Sequence, residues 1–342
     1  MSRHGVEPKP RWRHVPEAVR TAVTSMLGAP VARGMRVWGG YGPTPTFRLR
    51  LTDGRRAFLK GCSPASSARM HANFVRELLV YRELRDYLDD WAPQVYGHCS
   101  VDGWDILVLE DLGPKSVPPW TPRRTGSIMR AFGAFHVAGR ARALPTWLKP
   151  PAEWVNAASH LWAWTHDRDA IAQRAVVAGP RATEAARWFE AMGSTLASEA
   201  SRLLRAGATP QLLHCDARSD NLRWKDGRLY LFDWASVVAG PAELDVAFFA
   251  QSITVESGLA PEHSVNWYEE VHPLDPRLLD AAVCTAAGYF ADQAWREEIP
   301  GLPRLRTFQR QQLAVTLQWA LRRLKLESPA WLNAMPDAVF AP

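Results

Sequence analysis

The chain has 342 residues, 47% hydrophobic and 22% charged, which excludes a disordered protein and leaves room for two lobes with substantial cores. Its formal net charge of +6 is spread along the sequence, with no Lys/Arg run after the first fourteen residues, so a basic phosphate pocket is expected rather than a nucleic-acid partner. Cys62, Cys99, Cys215 and Cys284 stand far apart with no CxxC pair, and no signal peptide or spanning segment is visible. The expectation is a cytoplasmic chain without disulfides, zinc or a membrane partner.

Residues 1–15 are basic and interrupted by Pro8 and Pro10, and read as a flexible N-terminal arm. Pro16-Glu17 then opens a helix in which Val19, Val23 and Leu27 recur at helical spacing. From Arg36 the period changes to two. Phe47, Leu49 and Leu51 alternate with Arg48 and Arg50, and Asp53-Gly54 turns the chain into Ala57-Phe58-Leu59-Lys60, which predicts an antiparallel sheet. Ahead of it, Gly39, Gly40 and Gly42 sit in a turn whose backbone N–H groups could approach a phosphate closely.

Lys60 closes an otherwise apolar strand. Glu77 follows on a helix marked by Phe74, Leu78, Tyr81, Leu84 and Leu88, near its packed face, so the two can form an ion pair that aims the ammonium at phosphates. Residues 105–109 predict a buried strand, broken by Glu110-Asp111-Leu112-Gly113 and four prolines. That composition shift divides the chain into an N-lobe over 16–112, which would bind the nucleotide, and a helical C-lobe over 113–342. Helices are predicted over 123–141, 184–204, 278–295 and 305–324.

Between those helices stand His214, Asp216, Arg218 and Asn221, followed by a hairpin, turning at Asp226-Gly227, that ends at Asp233. Pairing alone places Asn221 and Asp233 side by side, because residues flanking the open end of a hairpin are neighbours. The order of these groups suits phosphoryl transfer, which needs charge neutralised, a hydroxyl held in line and a proton acceptor. Asp216 would be the acceptor, Asn221 and Asp233 the Mg²⁺ ligands, Lys60 the contact to the non-transferred phosphates and Arg218 a contact to the transferring one. His214 would orient the loop.

This set resembles the aminoglycoside phosphotransferase and choline kinase family, within the protein-kinase-like fold. His214, Asp216 and Asn221 match its HxDxxxxN loop, and Phe232-Asp233-Trp234 its counterpart of the kinase DFG. Residues 109–112 are similar to its hinge, Phe135-His136 to its "LH" helix, and 243–247 to a segment whose aspartate braces the catalytic loop. The resemblance, over roughly residues 30–325, implies an α+β bilobal fold: an antiparallel N-lobe sheet with one main helix, and a larger, mainly helical C-lobe. It also implies ATP and Mg²⁺ as cofactors, with Glu110 and Leu112 at the nucleotide.

Cys215 and Ala217 replace the family's usual Gly and Leu, as conservative exchanges, and Pro43 and Pro45 break the GxGxxG pattern. Asp233 and Asp245 lie too close in sequence to hold a peptide-docking activation segment, so the acceptor is expected to be a small-molecule hydroxyl, of an amino sugar, an aminoglycoside-like compound or a related metabolite. Glu262, Glu269, Glu270, Asp275, Asp292, Glu297 and Glu298 are candidates to receive a cationic acceptor, and Trp267, Tyr268 and Trp295 to stack on it. The alternatives are a nucleotide-binding pseudokinase acting as scaffold or sensor and, from charge alone, a nucleic-acid binder. The oligomer is expected to be a monomer or homodimer.

Overall fold

The alternation of apolar and basic residues in 46–62 becomes the centre of a five-stranded antiparallel sheet of order β1-β2-β3-β5-β4. Its strands are β1 (Val31–Arg36), β2 (Thr46–Leu51), β3 (Arg56–Cys62), β4 (Val95–Val101) and β5 (Trp104–Glu110). This computed structural model describes residues 9–37, 44–140, 142–150, 153, 161–205, 209–299, 302 and 304–335.

Phe47, Leu49 and Leu51 of β2 and Ala57 and Leu59 of β3 share one sheet face. They bury it under Val19, Val23 and Leu27 of helix α1 (Glu17–Leu27), which ends where Gly28 turns left-handed at φ 68°. Each fully buried Phe or Leu there is worth roughly 1.5–3 kcal/mol. The intervening residues, Phe58 and Lys60, therefore point to the opposite face. Helix α2 (Ala68–Glu83) is capped by the Ser67 hydroxyl, which accepts the Met70 N–H, and it buries Phe74, Glu77, Val80 and Tyr81.

Two observations depart from the sequence reading. Residues 9–15, expected within a flexible arm, are packed: Lys9 donates to Val37 O (2.9 Å) and Thr46 Oγ1 (2.8 Å), and the Trp12 ring sits edge-on to Phe47 with centroids 5.4 Å apart. The compact units also follow other boundaries. Unit 1 comprises 1–116, 220–236 and 299–303, and unit 2 comprises 117–219, 237–298 and 304–342. The hairpin β7 (Leu222–Lys225) and β8 (Arg228–Leu231), a separate two-stranded sheet, thus belongs to unit 1, where Leu231 N–H donates to Trp91 O (2.6 Å) and Trp224 N–H to Ser116 Oγ (2.8 Å).

Unit 2 is mainly helical. Helix α3 (Pro122–Gly139) carries Pro at its first position and buries Ile128, Phe132, Phe135 and His136 on one stripe. It is followed by α4 (Arg168–Ala175), α5 (Ala182–Ser201), α6 (Ala242–Val255), α7 (Pro261–Glu269), α8 (Pro276–Gln293) and α9 (Leu305–Arg323). Every residue of α6 is buried, so it is the central helix of the unit. A short antiparallel pair, β6 (Gln211–Leu213) with β9 (Val238–Gly240), enters and leaves the polar stretch around Asp216. Among the described residues, no helix is long and apolar enough to cross a membrane.

Candidate active site

In unit 1, Lys60 is the meeting point. Its Nζ lies 2.6 Å from Glu77 Oε2 and 2.6 Å from Asp233 Oδ1. Burial opposes the charge on Lys60, but the Asp233 and Glu77 carboxylates outweigh it and raise its pKa, so the ammonium is held protonated. Glu77 is 1% exposed, and burial pushes its carboxyl above the ordinary range although Lys60 draws it down.

Asp233 is placed by the hairpin. Leu222 pairs with Leu231, Phe232 N–H donates to Asn221 O (3.0 Å), and Asp233 then turns left-handed at φ 69°. A non-glycine residue there is strained, and such strain gathers where a side chain must be aimed. Asn221 is 4% exposed while the Asp233 carboxylate is 38% exposed. An amide and a carboxylate oxygen are hard donors that fit a divalent cation such as Mg²⁺, which takes few protein ligands and completes its shell from phosphates and water. No cluster of three or more His, Cys, Asp or Glu side chains suited to a metal occurs among the described residues.

In unit 2, the polar stretch is held from one side. The Asp245 carboxylate, fully buried on α6, accepts His214 N–H (2.6 Å) and Cys215 N–H (2.8 Å) and lies 3.2 Å from His136 Nε2. His214, also buried, accepts the Asp216 N–H at Nδ1 (3.2 Å). Between them Cys215 is left-handed, at φ 57°. From there exposure alternates: Cys215, Ala217 and Ser219 are buried, whereas Asp216 and Arg218 are partly exposed, with Arg218 Nη2 3.5 Å from Asp216 Oδ2. A carboxylate can accept a proton, and a guanidinium beside it can hold an anion at the neighbouring position.

Residues 34–271, well over half of the chain, match the phosphotransferase enzyme family. The chain belongs to that family. It is a small-molecule phosphotransferase with a mixed α/β, protein-kinase-like fold. Similar solved structures include a protein assigned as a fructosamine-3-kinase from Thermobifida fusca, 19% identical, with 90% of this chain and 100% of that chain covered and a TM-score of 0.57. Spectinomycin phosphotransferase, solved with ADP and spectinomycin, is 11% identical over 91% of this chain and 99% of its own, with a TM-score of 0.58. An aminoglycoside phosphotransferase from Alicyclobacillus acidocaldarius is 15% identical over 92% and 96%, with a TM-score of 0.55. No curated protein matches in sequence.

The other expected site residues of this phosphotransferase are dispersed. Gly39, Gly40 and Gly42 lie outside the described residues. Glu110 closes β5 with its carboxylate 3.7 Å from Lys225 Nζ, and Leu112 is buried. Beside them, Arg48 Nη2 and Arg223 Nε (3.1 Å) both donate to Gly113 O. Burial and the nearby Arg48 lower the Arg223 pKa to about 10.

Several candidate acceptor-binding groups have structural partners within unit 2. Asp292, buried, is clamped by Arg174 and by Arg296 (2.5 Å); Arg174 also lies 5.3 Å from the centre of the Trp295 ring. Glu262 pairs with Arg322 (2.8 Å), Glu270 with Arg130 (2.6 Å), and Asp275 caps α8. Tyr268 is buried with its hydroxyl 2.7 Å from His136 Nδ1. Three residues that sequence reasoning passed over touch the Asp216 loop or its supports: Ser219, Ser252 and Glu256. The available signal was spacing, since Ser252 and Glu256 follow Asp245 by seven and eleven positions and so share its helix face.

Proposed function

We propose that this phosphotransferase moves the γ-phosphoryl group of ATP to a hydroxyl of an amino sugar, an aminoglycoside-like compound or a related metabolite. The observation that carries the reading is the Lys60 ammonium shared by Glu77 and Asp233, each at 2.6 Å. A buried cation fixed by one carboxylate on a helix and one at the end of a hairpin suits phosphate binding next to a metal ligand. The family supports it, as do solved neighbours holding ADP with spectinomycin or AMP-PNP with Ca²⁺.

In this reading Asp216 takes the proton of the acceptor hydroxyl as that oxygen bonds to the γ-phosphorus and the bond to the β-phosphate oxygen breaks, releasing ADP. Arg218 contacts the transferring phosphoryl oxygens, His214 fixes the loop, and Lys60 holds the remaining phosphates. Glu110 and Leu112 flank the nucleotide. Asn221 and Asp233 would hold Mg²⁺, which when bound supplies neutralisation of phosphate charge.

The test is ADP release across a panel of amino sugars, aminoglycosides, macrolides, choline and simple sugars, with Asp216→Ala run on the best acceptor. Turnover should fall about 10²–10⁴-fold with nucleotide affinity retained. Unchanged kcat in that variant would refute the base assignment, and tight Mg-ATP binding without transfer to any acceptor would favour the scaffold alternative.

A further inference from the structure

We infer that Glu256 is a positioning residue for the catalytic loop, acting through the Ser219 hydroxyl. The inference rests on the reading of Asp216 as proton acceptor. Asp245, Ser252 and Glu256 lie on one face of α6 and its C-terminal boundary, seven and four residues apart, and each meets the loop at a different point.

Asp245 takes the N–H groups of His214 and Cys215 (2.6 and 2.8 Å). Ser252 Oγ approaches Ala217 O at 3.4 Å while donating to Phe249 O at 2.9 Å, which makes it the weakest of the three. Glu256 Oε1 accepts from Ser219 Oγ at 2.5 Å, a length typical of a hydroxyl on an ionised carboxylate. Its other oxygen, Oε2, accepts the indole N–H of Trp120 at 2.9 Å. Trp120 is buried, two residues before α3 begins, so the carboxylate has both oxygens engaged and little freedom to shift.

The contacts fall on residues 214–215, 217 and 219, the buried members of the alternating stretch. Residues gripped from one side at every second position leave the others facing away, which is how Asp216 and Arg218 are both presented. Asp245 fixes the start of the loop. Removing Glu256 takes the charged acceptor away from Ser219, and the 3.5 Å Asp216–Arg218 pairing loses its fixed geometry. The anchor therefore controls how well the loop is aimed rather than how tightly nucleotide binds.

Steady-state kinetics on Glu256→Ala, Ser219→Ala, their double variant and Glu256→Gln test this, alongside Asp216→Ala. Each alanine variant should lose about 10–10²-fold in kcat with nucleotide KM unchanged. The double variant should lose no more than the worse single one. Glu256→Gln keeps one acceptor oxygen for Ser219 but turns its NH₂ towards the Trp120 N–H, so it should retain more turnover than Glu256→Ala at a cost in stability. A kcat per folded molecule that stays at the wild-type value in Glu256→Ala, even with a lowered Tm, would overturn the proposal. Full activity in Asp216→Ala would instead remove the reading on which it rests.

Discussion

Replacing Asp245 by Asn removes one charge and almost no volume, and so isolates what the carboxylate does. It is fully buried and accepts two backbone N–H bonds at 2.6 and 2.8 Å, with His136 Nε2 at 3.2 Å. An amide presents one oxygen and one NH₂, so one of the two N–H groups loses its acceptor and faces a donor. Losing a hydrogen bond to a charged group costs about 1.5–3 kcal/mol, and the stranded buried donor adds about 1–3 kcal/mol. The expected loss in urea-unfolding free energy is therefore about 3–5 kcal/mol. The same bonds hold Cys215 at φ 57°, where a residue with a Cβ is disfavoured by roughly 1–2 kcal/mol. Released, Cys215 returns to negative φ and swings Asp216 out of place, so kcat should fall at least about 10²-fold. Adding Cys215→Gly, which tolerates positive φ, should restore part of that turnover without restoring stability. A stability loss under about 1 kcal/mol with kcat intact would refute the brace, and a further drop in kcat on adding Cys215→Gly would refute the strain argument.

Two other expectations concern unit 1. Because burial raises the Glu77 pKa in the fold, its contribution to stability is complete below the ordinary carboxylate value near 4.3 and is lost as pH rises through the raised value. Unfolding free energies measured across pH 4–8 should therefore show Glu77→Gln gaining on wild type as pH increases, while its kcat falls because Lys60 is no longer aimed; a gap that moves the other way would contradict the assignment. At the sheet edge, a Cβ on Gly34 would lie 2.5 Å from Trp12 Cγ. Gly34→Ala should then destabilise by about 1–3 kcal/mol, and much less in a Trp12→Ala background. Equal costs in both backgrounds by urea denaturation would mean that residues 9–15 do not pack as described.

The residues of the proposed site were legible because local pattern carries them. Lys60 closes an otherwise apolar strand, Glu77 lies one position from the apolar stripe of its helix, and the hairpin register sets Asn221 opposite Phe232, next to Asp233. What escaped was set by tertiary packing. Helix α6 is buried on every side and so shows no 3.6-residue stripe, and β6 and β9 are three residues each, too short for a period. The boundary at 113 followed prolines, yet residues 220–236 group with unit 1 through bonds to Trp91 and Ser116 that no composition shift announces. Asp292 read as a candidate to receive a cationic acceptor because Arg174, its partner, is more than a hundred residues away in sequence.

The replacement of the family's usual glycine by Cys215 reads as conservative in sequence and is not so in the backbone, since the position is left-handed. Glycine would adopt φ 57° without help; cysteine needs a restraint. The restraint is present in the two N–H bonds to Asp245, which bracket the strained residue, and each such charge-assisted bond is worth at least as much as the left-handed conformation costs. Ala217 fits the same logic: it is 2% exposed and its carbonyl faces Ser252, so a small side chain lets the loop lie against α6. The departures from the family's loop thus fall at buried positions on the α6 side, while Asp216, the proposed proton acceptor, lies on the presented side.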